Sequence, residues 1–307
     1  MASTLLQLIQ QATAEMGLQV PNSVVGNTNE TVVQLLALTN AVGNELQRQY
    51  IWQHSTVQYR FNAEVLETTG DTTDGSAVIT NIPSTTGLDA TWQVTGTGIN
   101  TNVNILSVDS ATQVTLDQPC TATGTGITLN FGKVKYELPS DYDRPVNATN
   151  WDVTKHWQII GPLTAQQWEY LISGWIATGP VINWRMLGGY FQIWPIQTNP
   201  DLLGMEYISS NWVRATGQFA ASKSSFTVDT DTCVFPDRLM VLGIKKKFFE
   251  VKNFDTTALM RDYETQLSIA YANDQGAGNL SMSQKGVGYL VNWANIPDSG
   301  YGGGSPH

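Results

Sequence analysis

The chain has 307 residues, 41% of them apolar and only 14% charged, with a formal net charge of −10. That length accommodates about two ordinary cores, and a charged fraction below the roughly 25% of average soluble domains points to wide polar surfaces that meet other protein. An acidic chain repels nucleic-acid phosphates, which argues against general nucleic-acid binding but leaves room for a channel through which DNA slides without sticking. Two distant cysteines, Cys120 and Cys233, cannot build a disulfide framework, so free thiols in a reducing compartment are expected. The start, Met1-Ala2-Ser3-Thr4, lacks the basic and apolar regions of a secretory leader, and no apolar run approaches the ~20 residues that span a bilayer.

Leu5, Leu6, Leu8, Ile9, Ala12 and Met16 recur at helical spacing, with Ser3 or Thr4 as cap and Gly17 as stop. A second helix is expected from Glu30 to about Tyr50, capped by Thr28 or Asn29 and buried along Val32, Leu35, Leu36, Leu38, Thr39, Val42 and Leu46. Gly43 in that stripe would admit a close neighbouring helix or a bend. Residues 56–62 alternate as a strand does.

Between Arg60 and Lys133 there is no lysine or arginine, and residues 68–130 contain seventeen threonines and seven glycines. Short alternating runs between turn residues make this stretch read as an all-β module. Lys133–Leu138 alternates again and stops at Pro139. Residues 56–62 and 133–138 are therefore expected to pair as one interrupted hairpin, with the module replacing the turn.

Beyond it, a short helix is expected near Thr164–Ser173, and strands at 181–187, 189–195 and 203–209, the first two joined through Gly188-Gly189. Helices follow from Asp237 to about Asn253 and from about Thr256 to Ala272. Residues 276–307 lose periodicity and read as an extended tail. The fold class expected from this order is α+β: a helical-bundle core with a small antiparallel sheet, made from 1–64 and 131–275, with an all-β domain inserted at 65–130.

Catalytic patterns are sparse. His54, His156 and His307 lack companions at metal-ligand spacing, and neither a nucleophile elbow nor a phosphate-binding loop is present. Gly96-Thr97-Gly98 reads as a turn. Asp141 and Asp143 form a conceivable acid–base pair, but a turn with Asp143 beside Arg144 is the simpler reading. No enzymatic activity, metal or cofactor is therefore expected. Lys245-Lys246-Lys247 admits three readings: contact with DNA phosphates or acidic lipid, complementarity to the negative end of its own helix, or pairing with an acidic neighbouring subunit. Seven of the ten tryptophans (151, 157, 168, 175, 184, 194 and 212) fall close together, mostly as core but dense enough to suggest a large subunit interface.

The order of elements outside residues 65–130 resembles the head-to-tail adaptor (connector) proteins of tailed, particularly short-tailed, bacteriophages. The likeness is carried by Tyr59-Arg60-Phe61, Tyr136 through Arg144, Gly161-Pro162, Trp194-Pro195, Glu206 through Ser209, Phe235-Pro236 and Lys252 through Asp255. The segment with Val94 through Ile99 and Val108 through Leu116 is similar to Ig-like sandwich modules of phage virions. The resemblance implies a ring, commonly of twelve copies, at the virion neck, assembled in the host cytoplasm beneath the portal protein. Such a ring joins head to tail nozzle or tube and encloses double-stranded DNA without reading it or touching membrane. It also implies that the tail reaches the portal, with Tyr289, Leu290, Val291, Trp293, Ile296 and, more weakly, Tyr301 as anchors, and Lys245, Lys246 and Lys247 as subunit or channel contacts. The competing reading is a carbohydrate- or receptor-binding tail protein acting through the β module.

Overall fold

The computed structural model describes residues 2–173 and 181–275. Helix α1 (Leu5–Met16) opens on a capping box in which Thr4 accepts from the Gln7 amide and Gln7 accepts from the Thr4 amide, and Gly17 closes it in the left-handed region at φ 70°. Helix α2 (Glu30–Gln49) is capped by Asn29 and is followed by β1 (Thr56–Asn62). Six strands come next: β2 (Val65–Thr72), β3 (Val78–Ile79), β4 (Trp92–Gly96), β5 (Val103–Ser110), β6 (Gln113–Leu116) and β7 (Gly124–Lys133). Then come β8 (Lys135–Glu137), β9 (Tyr142–Pro145), β10 (Trp151–Asp152), β11 (Trp157–Gln158) and α3 (Ala165–Ser173). After these stand β12 (Asn183–Leu187), β13 (Tyr190–Trp194), β14 (Leu202–Ser209), β15 (Val213–Arg214) and β16 (Thr232–Cys233). Helices α4 (Asp237–Val251) and α5 (Thr257–Gln275) end the described chain.

The expected helical-bundle core with a small sheet and an inserted Ig-like sandwich is not the architecture observed. The described chain is mostly β, with sixteen strands in four sheets against five α-helices. The reason lies in residues 140–235, where, besides the three strands expected at 181–209, β9, β10, β11, β15 and β16 are two to four residues long, too short to show a period, yet they complete sheets. Strand β14 is their hub: it pairs antiparallel with β1 along one edge and with β9 and β10 along the other, and β11 extends β10. A second sheet runs β12-β13-β8. The two share a core of Tyr136, Trp184, Phe191, Leu203 and Met205.

The interrupted hairpin is a second correction. Strand β1 pairs with β14 (Thr56 opposite Ile208), and β8 pairs with β13 (Tyr136 opposite Phe191), so the two strands expected to be neighbours lie in different sheets. Tyr59 and Phe61 find apolar company in that shared core, which decides the pairing. The strands that do pair across this stretch are β2 and β7, from Val65 opposite Gly132 to Thr72 opposite Gly124.

Residues 65–133 form one sheet ordered β2-β7-β4-β5-β6-β3. Its ends meet where Asp71 and Thr80 exchange backbone hydrogen bonds of 2.8 and 3.0 Å, so the sheet nearly closes into a barrel instead of stacking as a sandwich. Ile79, Ile82, Val94, Val103, Val114, Leu129 and Phe131 fill it. It meets the β12-β13-β8 sheet through Asn102, which accepts from the Trp194 indole and donates to the Ile172 carbonyl at 2.6 Å.

Candidate interaction surface

The helices form a layer whose centre is α4. Leu239, Met240, Val241 and Ile244 are buried against Leu5, Leu8 and Ile9 of α1 and Val32, Leu35, Val42 and Leu46 of α2. A glycine makes the closest helix approach possible: a Cβ at Gly243 would lie 2.6 Å from Val42 Cγ1. Gly43 serves a different neighbour from the helix its position suggested. The Trp212 ring sits directly on it, fully buried and held by an indole hydrogen bond of 2.9 Å to Asn44.

The lysine triplet divides among three helices. Lys245 reaches Glu15 on α1 at 2.8 Å, Lys247 reaches Glu45 on α2 at 2.7 Å, and Lys246 lies over the Tyr263 ring of α5 at 4.9 Å and 3.8 Å from Glu250. Consecutive helical positions point about 100° apart, so a run of three can only face three ways. Glu15 also takes Arg238 at 2.8 Å. Burial alone would raise the Glu15 carboxyl, but hydrogen bonds from Lys245, Gln11 and Arg238, with the Lys245 charge, bring it down from 4.5 to about 2. Glu15 and Glu45 give no sign of this role in the sequence, because the pairing depends on tertiary neighbours.

An aromatic knot joins α2, α5 and the strand that precedes α4. Tyr50 stacks on Tyr271 with ring centroids 4.3 Å apart, and Trp52 contacts Tyr50, His54, Phe235 and Tyr271. Asp274 accepts from the Gln53 amide at 2.9 Å, tying the end of α5 to this knot. His54 Nε2 is buried without a hydrogen-bond partner. Burial pushes the His54 imidazole down to about 4, Arg214 adds to this, and Asp274 opposes it.

The turn between α4 and α5 is different in character. Val251, Phe254 and Met260 are exposed there, Phe254 by 59%, with Phe249 beneath at a ring separation of 5.5 Å. Further along α5, Ile269 is also exposed, and among the described side chains of this helix only Leu267 and Ala270 are buried. Large apolar side chains gathered at the edge of a helical layer are the ordinary make-up of a protein–protein contact. Sequence periodicity missed this patch because Phe254 lies in the turn, outside any helical stripe.

The other sequence candidates separate. Asp141 accepts from the Tyr207 hydroxyl at 2.8 Å and the Ser209 hydroxyl at 2.6 Å, a structural anchor for β14, while Asp143 pairs with Arg144 at 3.2 Å. Trp168, Trp184 and Trp212 are core residues; Trp151 and Trp157 are half-exposed. Tyr289, Leu290, Val291, Trp293, Ile296, Tyr301 and Trp175 lie outside the described residues. Among the described residues, no group of three or more His, Cys, Asp or Glu could hold a metal ion, and no helix is long and apolar enough to cross a membrane.

No protein-family model and no curated protein sequence matches the chain.

Proposed function

We propose that this protein is a structural subunit of a bacteriophage neck, a head-to-tail adaptor that forms a ring under the portal protein and connects the head to the tail nozzle or tube. The observation that carries this reading is the exposed apolar turn of Val251, Phe254 and Met260 on the rim of the α1–α2–α4–α5 layer. A ring subunit needs such a patch on one flank, since a ring of more than two copies is closed by heterologous contacts in which that patch buries itself against a different, complementary surface of the next copy. The internal pairing of Lys245 and Lys247 supports a layer held rigid before assembly. In this reading DNA passes through the ring without being cut or read, and residues 276–307 engage the portal.

The test is co-sedimentation of the full-length protein, and of a variant ending at residue 275, with purified portal rings. Full-length protein is expected to co-sediment in several copies per ring and the shortened variant to lose most of that binding. Failure of the full-length protein to bind would overturn the adaptor reading. Full-strength binding by the shortened variant would overturn the assignment of the portal contact to 276–307.

A further inference from the structure

A cavity of about 220 Å³ lies where the outer face of the barrel meets the β12–β13–β8 sheet and α3. Strand register builds two of its walls. Trp184, Phe191 and Tyr136 turn into the shared core, so the neighbouring positions of the same strands face the other way. Arg185, Gln192 and Lys135 stand there in one cross-strand row, Arg185 opposite Gln192 and Gln192 opposite Lys135. On the barrel, Gln93 stands opposite Asn104, and both point outward because Val94 and Val103 fill the interior. Helix α3 closes the remaining side with Trp168 and Ile172.

The row on the sheet carries donors that the fold leaves unmatched. Arg185 is half-buried, stacked on the Trp168 ring at 4.4 Å, and its Nε donates to Gln192 Oε1 at 2.9 Å. Its terminal nitrogens make no hydrogen bond among the described residues, and neither Arg185 nor Lys135, also half-buried, forms an ion pair there. A guanidinium only donates, so Gln192 must use its carbonyl oxygen for Arg185. Its amide nitrogen is then left without a partner among the described residues, on a side chain that lines the cavity and is only 7% exposed.

The nearby acids do not neutralise this row. Asp117 is taken up by the backbone and side-chain amides of Asn104, at 2.9 and 2.7 Å, and Glu137 and Glu169 are exposed. Burial lowers the Arg185 pKa, and the charge of Glu169 only partly opposes it. Two cations that lose hydration without gaining a counter-charge are costly, and an anion between them removes that cost.

We infer that this cavity is a binding site for a small monocarboxylate with an apolar body. The guanidinium fork of Arg185 matches two carboxylate oxygens, and Lys135 and the Gln192 amide add donors beside it. Trp168, Ile172, Leu187 and Trp194 supply apolar wall for the rest of the molecule. The volume is below the roughly 300–1,000 Å³ of drug-sized sites, which suits a single ring or a short chain. A cation would meet Arg185 and Lys135, and inorganic phosphate would leave the apolar wall unfilled. The site goes beyond the adaptor role and does not depend on it.

Saturation-transfer NMR on the full chain tests the site with benzoate, phenylacetate and hexanoate, each against its neutral amide, and phosphate is added as competitor. At least one carboxylate is expected to bind, and about tenfold or more tighter than its amide. Lys135→Met and Arg185→Met, checked for unchanged thermal melting, should each weaken binding by about tenfold or more; if Arg185→Met melts lower, Lys135→Met decides. Arg60→Ala removes a cation from the open cleft on the β1–β14–β10 sheet, where Gly204 stands between Arg60 and Trp151, and should leave binding intact. The assignment is overturned by no transfer to any carboxylate, by amides that bind as tightly, by undiminished binding in Lys135→Met, by an equal loss in Arg60→Ala, or by phosphate binding tighter than every carboxylate.

Discussion

The helical layer and the cleft on the β1–β14–β10 sheet handle charge in opposite ways. In the layer, the most conspicuous basic run of the sequence is absorbed: Lys245 and Lys247 bond to Glu15 and Glu45, and Lys246 lies on Tyr263. In the cleft, scattered residues that form no motif leave Arg60 without an ion pair among the described residues. A charge run in a sequence thus says little about availability, and availability is what marks a site for partners. Three consecutive lysines on a helix must diverge, and each then finds its own acid; the cleft requires three strands in register.

The helical layer is most vulnerable at Trp212. Its ring fills the space above Gly43 and touches Phe226 and Phe235. Trp212→Ala is expected to cost about 3–5 kcal/mol, read by urea denaturation. A loss under 1 kcal/mol would mean that the layer does not depend on this contact.

Acid titration sharpens the contrast by separating two groups within the layer. His54 has a folded pKa of about 4 against 6.5. Its contribution is therefore complete above pH 6.5 and is lost as pH falls towards 4, because the unfolded chain takes up the proton first. Glu15 has a folded value of about 2 against 4.5, so its contribution is complete above 4.5 and disappears as pH falls towards 2. Melting temperature measured against pH is expected to fall in both windows. His54→Phe should flatten the upper one and Glu15→Gln the lower, and an unchanged profile in either variant would refute the corresponding assignment.

At neutral pH, Glu15→Gln is expected to cost only about 1 kcal/mol, since the Glu15 pairs are partly exposed. Arg60→Ala should change stability by less than about 0.5 kcal/mol, as expected for an exposed residue with no ion pair to lose. A loss above 1 kcal/mol in chemical denaturation would show that Arg60 has a structural partner, and the distinction between the two regions would fail.

The same contrast explains what could be read from the sequence. Thr4 and Gly17 bound α1, Asn29 starts α2, and Gly188-Gly189 turns β12 into β13, because caps and tight turns are decided by a few adjacent residues. The fold class was not legible in this way. Strands β10 and β11 are two residues each, and β1 chose β14 over the β8 segment through side chains that meet only in the folded core. The barrel also depends on a non-local event, the Asp71–Thr80 closure, which composition cannot distinguish from a sandwich. Glu15 and Lys245 are 230 positions apart, and the cleft needs Arg60, Gly204 and Trp151 side by side. Neither arrangement has a local signature.

The adaptor reading is tested most directly by mass photometry of the protein mixed with portal rings, alongside Phe254→Asp. The expected result is a portal-sized particle gaining the mass of a full set of subunits, and loss of that complex in Phe254→Asp while the isolated variant melts at the same temperature. Portal and protein remaining as separate masses would contradict the adaptor role, and an unaltered complex with Phe254→Asp would remove the α4–α5 turn from the assembly surface.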